Sequence, residues 1–162
     1  MVDYAAAFRQ GLEAAKAADV ARREIDSVFA ELNRQMLEAS DGKIRVDRTQ
    51  EYVPEHGFAA LAVLVSGKRD TYWAIVAHNP SVTKSPVKEL ATWSQDRAGY
   101  PCKVAFGGVN ESCYDRAALE NCLAQLLSDP VVGERLSSLM RLEPSPATEP
   151  IEGSAQQTGN SG

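Results

Sequence analysis

The sequence predicts an α+β fold: a long N-terminal helix, an antiparallel or mixed sheet of about four to five strands, and two C-terminal helices. Three observations predict it. Ile25, Val28, Phe29, Leu32 and Met36 recur at steps of three and four with no proline before Pro54, the signature of one buried helical face. Residues 43–106 carry short β-branched and aromatic runs bounded by Gly, Pro and Asn. Asp115 and Asp129-Pro130 each stand before a leucine-rich stretch, as helix caps do.

The elements follow in order. Asp3 caps a helical segment over residues 3–39, whose first half, Ala5 to Ala18, is alanine-rich with Phe8, Leu12 and Ala15 as a weaker stripe. Unbroken, such a helix is roughly 50 Å long, beyond the span of a compact domain of this size. A break near Ala18-Asp19, or a first half that packs on a partner, is therefore expected. Asp41-Gly42 stops the helix, and Ile44 and Val46 alternate with Arg45 and Asp47 in a strand from Lys43 to Val53. Pro54-Glu55-His56-Gly57 is a turn. Phe58 to Val65 reads as a strand buried on both faces, joined through Ser66–Asp70 to a second strand, Thr71 to His78.

Residues 85–96 fit two patterns. As a helix, Ser85 caps, Pro86 takes the first position, and Val87, Leu90, Ala91 and Ser94 share a side; this reading is preferred. As a strand, the segment pairs with Cys102–Phe106 across Gly99-Tyr100-Pro101. Leu119, Cys122, Leu123, Leu126 and Leu127 then line the first C-terminal helix, and Val132, Leu136 and Leu139 the second. Residues 1–142 form one domain. Residues 143–162, rich in Pro, Ser, Thr, Gly and Gln, hold too little apolar area to offset ordering entropy and are expected to be a disordered tail.

A net charge of −5 argues against a sequence-independent grip on nucleic-acid phosphates and is compatible with a basic protein partner. The N-terminus lacks the basic flank and apolar core of a secretion signal, and the apolar run at Phe58–Val65 is too short to cross a bilayer. Three widely spaced cysteines suit a reducing compartment, so the expected location is cytoplasmic, with no membrane association.

The predicted element order is similar to that of the nuclease core shared by many restriction enzymes, and to that of the small acidic chaperones of type III secretion. The nuclease resemblance implies an acid near one central strand, then an acid and a lysine spaced by one residue on the next. Phe58–Val65 holds no acid, and Thr71–Ala77 holds neither acid nor lysine. Asp47 and Glu51, with Glu55 beyond, are the only clustered acids near the sheet and read as a solvated face. Of His56 and His78, the second ends a strand before Asn79, Pro80 and Ser81 and reads as bonded to nearby backbone. Cys122 is expected in the core, Cys102 at the start of a strand, and Cys113 as an exposed loop thiol at a spacing unlike a zinc site. Trp73 reads as core. Trp93, on a helix, points outward beside Tyr100.

These readings assign no catalytic, cofactor-binding or metal-binding residue and no cofactor. They lean away from an enzyme, toward a small acidic protein that acts by covering a protein partner, as immunity proteins, antitoxins and inhibitors do. Trp93, Tyr100, His78 and Asn79 are the expected contacts. The alternatives are a secretion-type chaperone, for which a homodimer is expected, and a metal-dependent nuclease or hydrolase with a non-standard site around His78.

Overall fold

The computed structural model describes residues 1–56 and 58–146. Helix α1 runs from Tyr4 to Ala39, 36 residues without interruption, and Asp3 accepts a hydrogen bond from the Ala6 N–H at its start. The expected break is absent: Ala18 is buried, and Arg22 forms an ion pair with Asp19 one turn below it at 2.7 Å. That pair spans the point where the helix was expected to end.

After a turn at Asp41-Gly42, β1 (Arg45–Tyr52) runs antiparallel to the C-terminal half of α1. Two local devices fix this approach. Ser40 Oγ accepts from the Ile44 N–H at 2.9 Å. Asn33 accepts from the Val46 N–H at 2.7 Å and donates to the Val46 carbonyl at 2.6 Å. The strand order is β1-β2-β3-β4-β5, a meander with every pair antiparallel, in which β2 is Thr71–His78, β3 Lys88–Asp96, β4 Gly99–Phe106 and β5 Val109–Cys113. Two helices follow, α3 (Arg116–Ser128) and α4 (Pro130–Met140), capped by Asp115 and Asp129. The chain is thus an α+β fold with a long N-terminal helix, a five-stranded antiparallel sheet and two C-terminal helices.

Helices α1, α3 and α4 cover one face of the sheet. Ile25, Phe29, Val46, Ile75, Ala91, Trp93, Val104, Leu119, Leu126 and Leu139 meet in a single core there. The opposite face carries the exposed Arg45, Thr92, Ser94, Lys103 and Ser112, with Ala74 and Val76 of β2 buried among its side chains. Residues of one strand alternate between these faces, so the division follows from the strand period.

Two expected elements are corrected. Phe58–Ser66 is a helix, α2, inserted between β1 and β2. An apolar run of this length has no periodicity that separates a buried strand from a helix, and its Ala and Leu content favours the helix. Strand β2 therefore pairs with β1, and the ladder extends past the strand ends, where the Val53 N–H donates to the Asp70 carbonyl at 2.9 Å. Residues 88–96 are a strand, not a helix. The register of β3 on β2 shifts at Ile75/Val76, and this bulge turns the consecutive residues Leu90 and Ala91 both into the core. Two adjacent buried residues, Leu90 and Ala91, are what a helix face gives and an unbroken strand does not.

At the C-terminus, Ser145 donates its N–H to the Ser81 carbonyl and accepts from the Thr83 N–H. The rest of the segment expected to be a disordered tail, residues 147–162, lies outside the described residues.

Candidate functional site: a tryptophan-walled concavity

Strands β1 and β3 both point toward the end of the sheet from which the N-terminal half of α1 projects. At that end, on the helix-covered face, Trp73 of β2 pairs with Gln50 of β1 on one side and Trp93 of β3 on the other. The two tryptophans share a strand position yet differ in burial. Trp93 lies over α1, edge-on to Phe29 with ring centroids 5.3 Å apart, and is 6% exposed. Trp73 is 49% exposed.

Arg48 lies between them and α1. Its guanidinium carbon sits 4.3 Å from the Phe29 ring centroid and 5.4 Å from that of Trp93. It donates to Asp26 at 2.6 Å and to the Gln95 side-chain oxygen at 3.3 Å. Its charge is thus neutralised by Asp26 and its plane held by two rings. Arg48, Trp73, Trp93, Gln95 and Asp96 line a concavity of about 410 Å3. One carboxylate oxygen of Asp96 accepts from the Ala98 N–H at 2.9 Å. The wall is aromatic, one rim is acidic, and the resident cation is already paired. A basic side chain stacked on Trp73 and bonded to Asp96 suits that combination.

The sequence-predicted residues are not brought together here. Trp93 lines the concavity from its buried side, which corrects the expected exposure, and Trp73 is the exposed ring where core was expected. The first reversal follows from β3: on a strand, Trp93 shares a face with Ala91 and Gln95 rather than standing off a helix. Trp73 keeps its expected strand and is exposed because it lies toward the open end of the sheet. Tyr100 is half-buried, and its hydroxyl donates to Glu24 at 2.9 Å. Burial, then that bond, push the phenol above the ordinary tyrosine range. Asn79 is buried and structural: its amide donates to the Leu139 carbonyl at 2.9 Å, and its oxygen accepts from the Ser81 N–H and hydroxyl.

His78 lies on the open face at the opposite end of β2. Its Nδ1 is 3.6 Å from Asp47, which Arg45 also holds at 3.3 Å. Asp47 and Glu51 share that face, as their even spacing requires, but four residues of strand separate them by about 13 Å. Glu55 lies beyond the end of β1, so His78, Asp47, Glu51 and Glu55 do not converge in one concavity. Nearer the concavity end, the Tyr72 hydroxyl bonds Glu89 across β2 and β3, and this bond with burial raises Tyr72 to about 12. His56 is exposed, its Nδ1 3.3 Å from the Pro54 carbonyl.

All three cysteines are free and buried, including Cys113, which was expected to be exposed. Strand β5 turns Cys113 inward opposite Cys102 of β4. Burial raises all three thiols, Cys102 and Cys122 to about 12. Among the described residues, no group of three or more His, Cys, Asp or Glu side chains is placed to hold a metal ion. No described helix is long and apolar enough to cross a membrane.

No family model matches this chain, and comparisons with curated proteins and with solved structures returned no significant match. Sequence reasoning missed Trp73, Arg48, Gln95 and Asp96 as a group. The signal was present in the strand alternative for 85–96: it places Trp93 and Gln95 on one face, and the observed pairing with Thr71–His78 brings in Trp73.

Proposed function

We propose that this protein is a cytoplasmic binding protein that occludes a site on a basic protein partner, with the Trp73 concavity as its anchor. The observation that carries this reading is the half-exposed Trp73, which lines one preformed concavity together with Asp96. Tryptophan is among the residues most enriched at binding hot spots, and the net charge of −5 favours encounter with a positive surface. A lysine or arginine of the partner enters between the indole and Asp96, and the surrounding surface blocks the partner by bulk. Affinity capture from cells of the source, with the wild type, Trp73→Ala and Asp96→Ala as baits, tests it. One folded basic protein, retained by the wild type and lost by at least tenfold with either variant, is expected. Equal retention by all three baits overturns the reading.

A second reading, a chaperone that holds an unfolded segment, draws on α2, where Leu64 and Val65 are exposed. It predicts that the captured protein is bound unfolded and that Leu64→Asp, rather than Trp73→Ala, releases it.

A further inference from the structure

The N-terminal half of α1 carries a surface that its own domain does not use. Tyr4, Phe8 and Leu12 are exposed, and burial along the helix begins only at Ala18. These three large residues are spaced by four, so they form one ridge that Lys16 continues. The adjacent row, one step around the helix, is Asp3, Ala7, Gly11 and Ala15: a groove of small residues with an acid at its end. Beyond the helix's own backbone and the neighbouring residues, no atom lies within 4 Å of where a Cβ on Gly11 would stand. Glycine inside an exposed helix costs about 1 kcal/mol relative to alanine, and nothing within the chain accounts for its presence among so many alanines. A helix of another chain approaching closely at that point does.

We propose that the arm, residues 3–18, pairs antiparallel with the arm of a second copy of this chain, the ridge of each lying in the groove of the other. One register satisfies every position. Phe8 sits on Gly11 of the second copy, Tyr4 on Ala15, and Leu12 on Ala7, so each large side chain meets a small one. In the same register Lys16 meets Asp3 of the second copy, so the charges at the two ends are complementary. The twofold axis repeats each contact, as an isologous dimer requires. Ridges of this spacing interdigitate at a crossing angle of about −50°. Arg9 and Glu13 fall off the contact face. Glu13 lies 3.8 Å from Lys16 of its own helix, an exposed pair that Lys16 can share with Asp3 of the second copy. Such an arm pair buries on the order of 1,000 Å2 in total, at the lower bound for a specific dimer, so the association is read at tens of micromolar concentration. The inference does not rest on the Trp73 concavity, which this pairing does not use.

Sedimentation equilibrium on the full chain tests it. The wild type is expected to be a dimer. Gly11→Leu fills the groove with a better helix former, so helicity by circular dichroism is kept or raised while the dimer weakens by at least tenfold. Arg9→Glu, off the contact face, leaves the dimer intact. With Ala7→Cys and Leu12→Cys together, a short bismaleimide is expected to join the two copies, since the native thiols are buried. A wild type that remains monomeric, a Gly11→Leu variant that still dimerises, or a dimer that the double-cysteine variant fails to cross-link overturns the proposal.

Discussion

Trp73 and Trp93 stand opposite each other on neighbouring strands, and their substitutions are expected to differ in their cost to stability. Trp93→Ala removes a buried ring that meets Phe29 edge-on and carries the Arg48 guanidinium on its face. The expected loss is about 3–5 kcal/mol in denaturant unfolding. Trp73→Ala, at a half-exposed position, is expected to cost under about 1 kcal/mol. Asn79→Ala leaves the Leu139 carbonyl and the Ser81 hydroxyl without their buried partner, and about 1–3 kcal/mol is the expected cost.

The cysteines give a pH prediction at the same scale. Their folded values lie above the ordinary thiol value of 9.0, and burial is the first cause at each. The native state therefore holds its thiol protons more tightly than the unfolded state does. This contribution is intact below pH 9 and is lost as pH rises from there toward about 12, where Cys102 and Cys122 ionise in the folded chain. Unfolding midpoints in urea measured between pH 8 and 10.5 should fall across that interval. Alkylation at pH 8 should require unfolding.

At the scale of elements, the β3–β4 hairpin approaches α1 most closely at a glycine. Gly99 has a φ of +97°, and a Cβ there would stand 2.5 Å from the Ala21 Cβ on α1. Gly99→Ala combines a left-handed backbone penalty with a collision against a helix, and a loss of more than about 2 kcal/mol is expected. Adding Ala21→Gly should recover the collision part alone; the double-mutant cycle measures the difference. The adjacent bond from Arg22 to the Arg97 carbonyl, at 2.7 Å, belongs to the same contact.

Elements also show what was legible. Helices α1, α3 and α4 could be read because each has an aspartate cap and a stripe at helical spacing. Strands β1, β2 and β4 could be read from β-branched residues and flanking turns. Residues 58–66 could not, since an unbroken apolar run has no period and only tertiary context assigns it. Residues 88–96 misled for a local reason: the bulge at Ile75/Val76 places Leu90 and Ala91 on one side, which alternation forbids. That single irregularity hid the candidate site, because Trp93 and Gln95 join Trp73 and Arg48 only when β3 is a strand. His78 and the acids of β1 were placed correctly on their strands, but how far apart they lie follows from the β1–β2 pairing, and that pairing was hidden by the misread insertion.

For the whole molecule, the sheet has two unlike ends. The end near Asn79 is closed by α4 and by the contacts of Ser145 with residues 81 and 83. The other end gathers the projecting arm, Tyr52, Leu64, Val65 and Trp73, all exposed. Exposed apolar patches beyond a few hundred Å2 are uncommon on monomers and mark surfaces that associate. On the proposed reading, charge would draw a basic surface toward this end and apolar contact would hold it.

A photo-reactive amino acid placed at position 73 in source cells tests the central claim most directly, with the same residue at Ser94 on the open sheet face as its counterpart. The account predicts a covalent adduct with one basic protein from position 73 and none from position 94. Adducts from position 94 alone, or from both positions with the same protein, would contradict it.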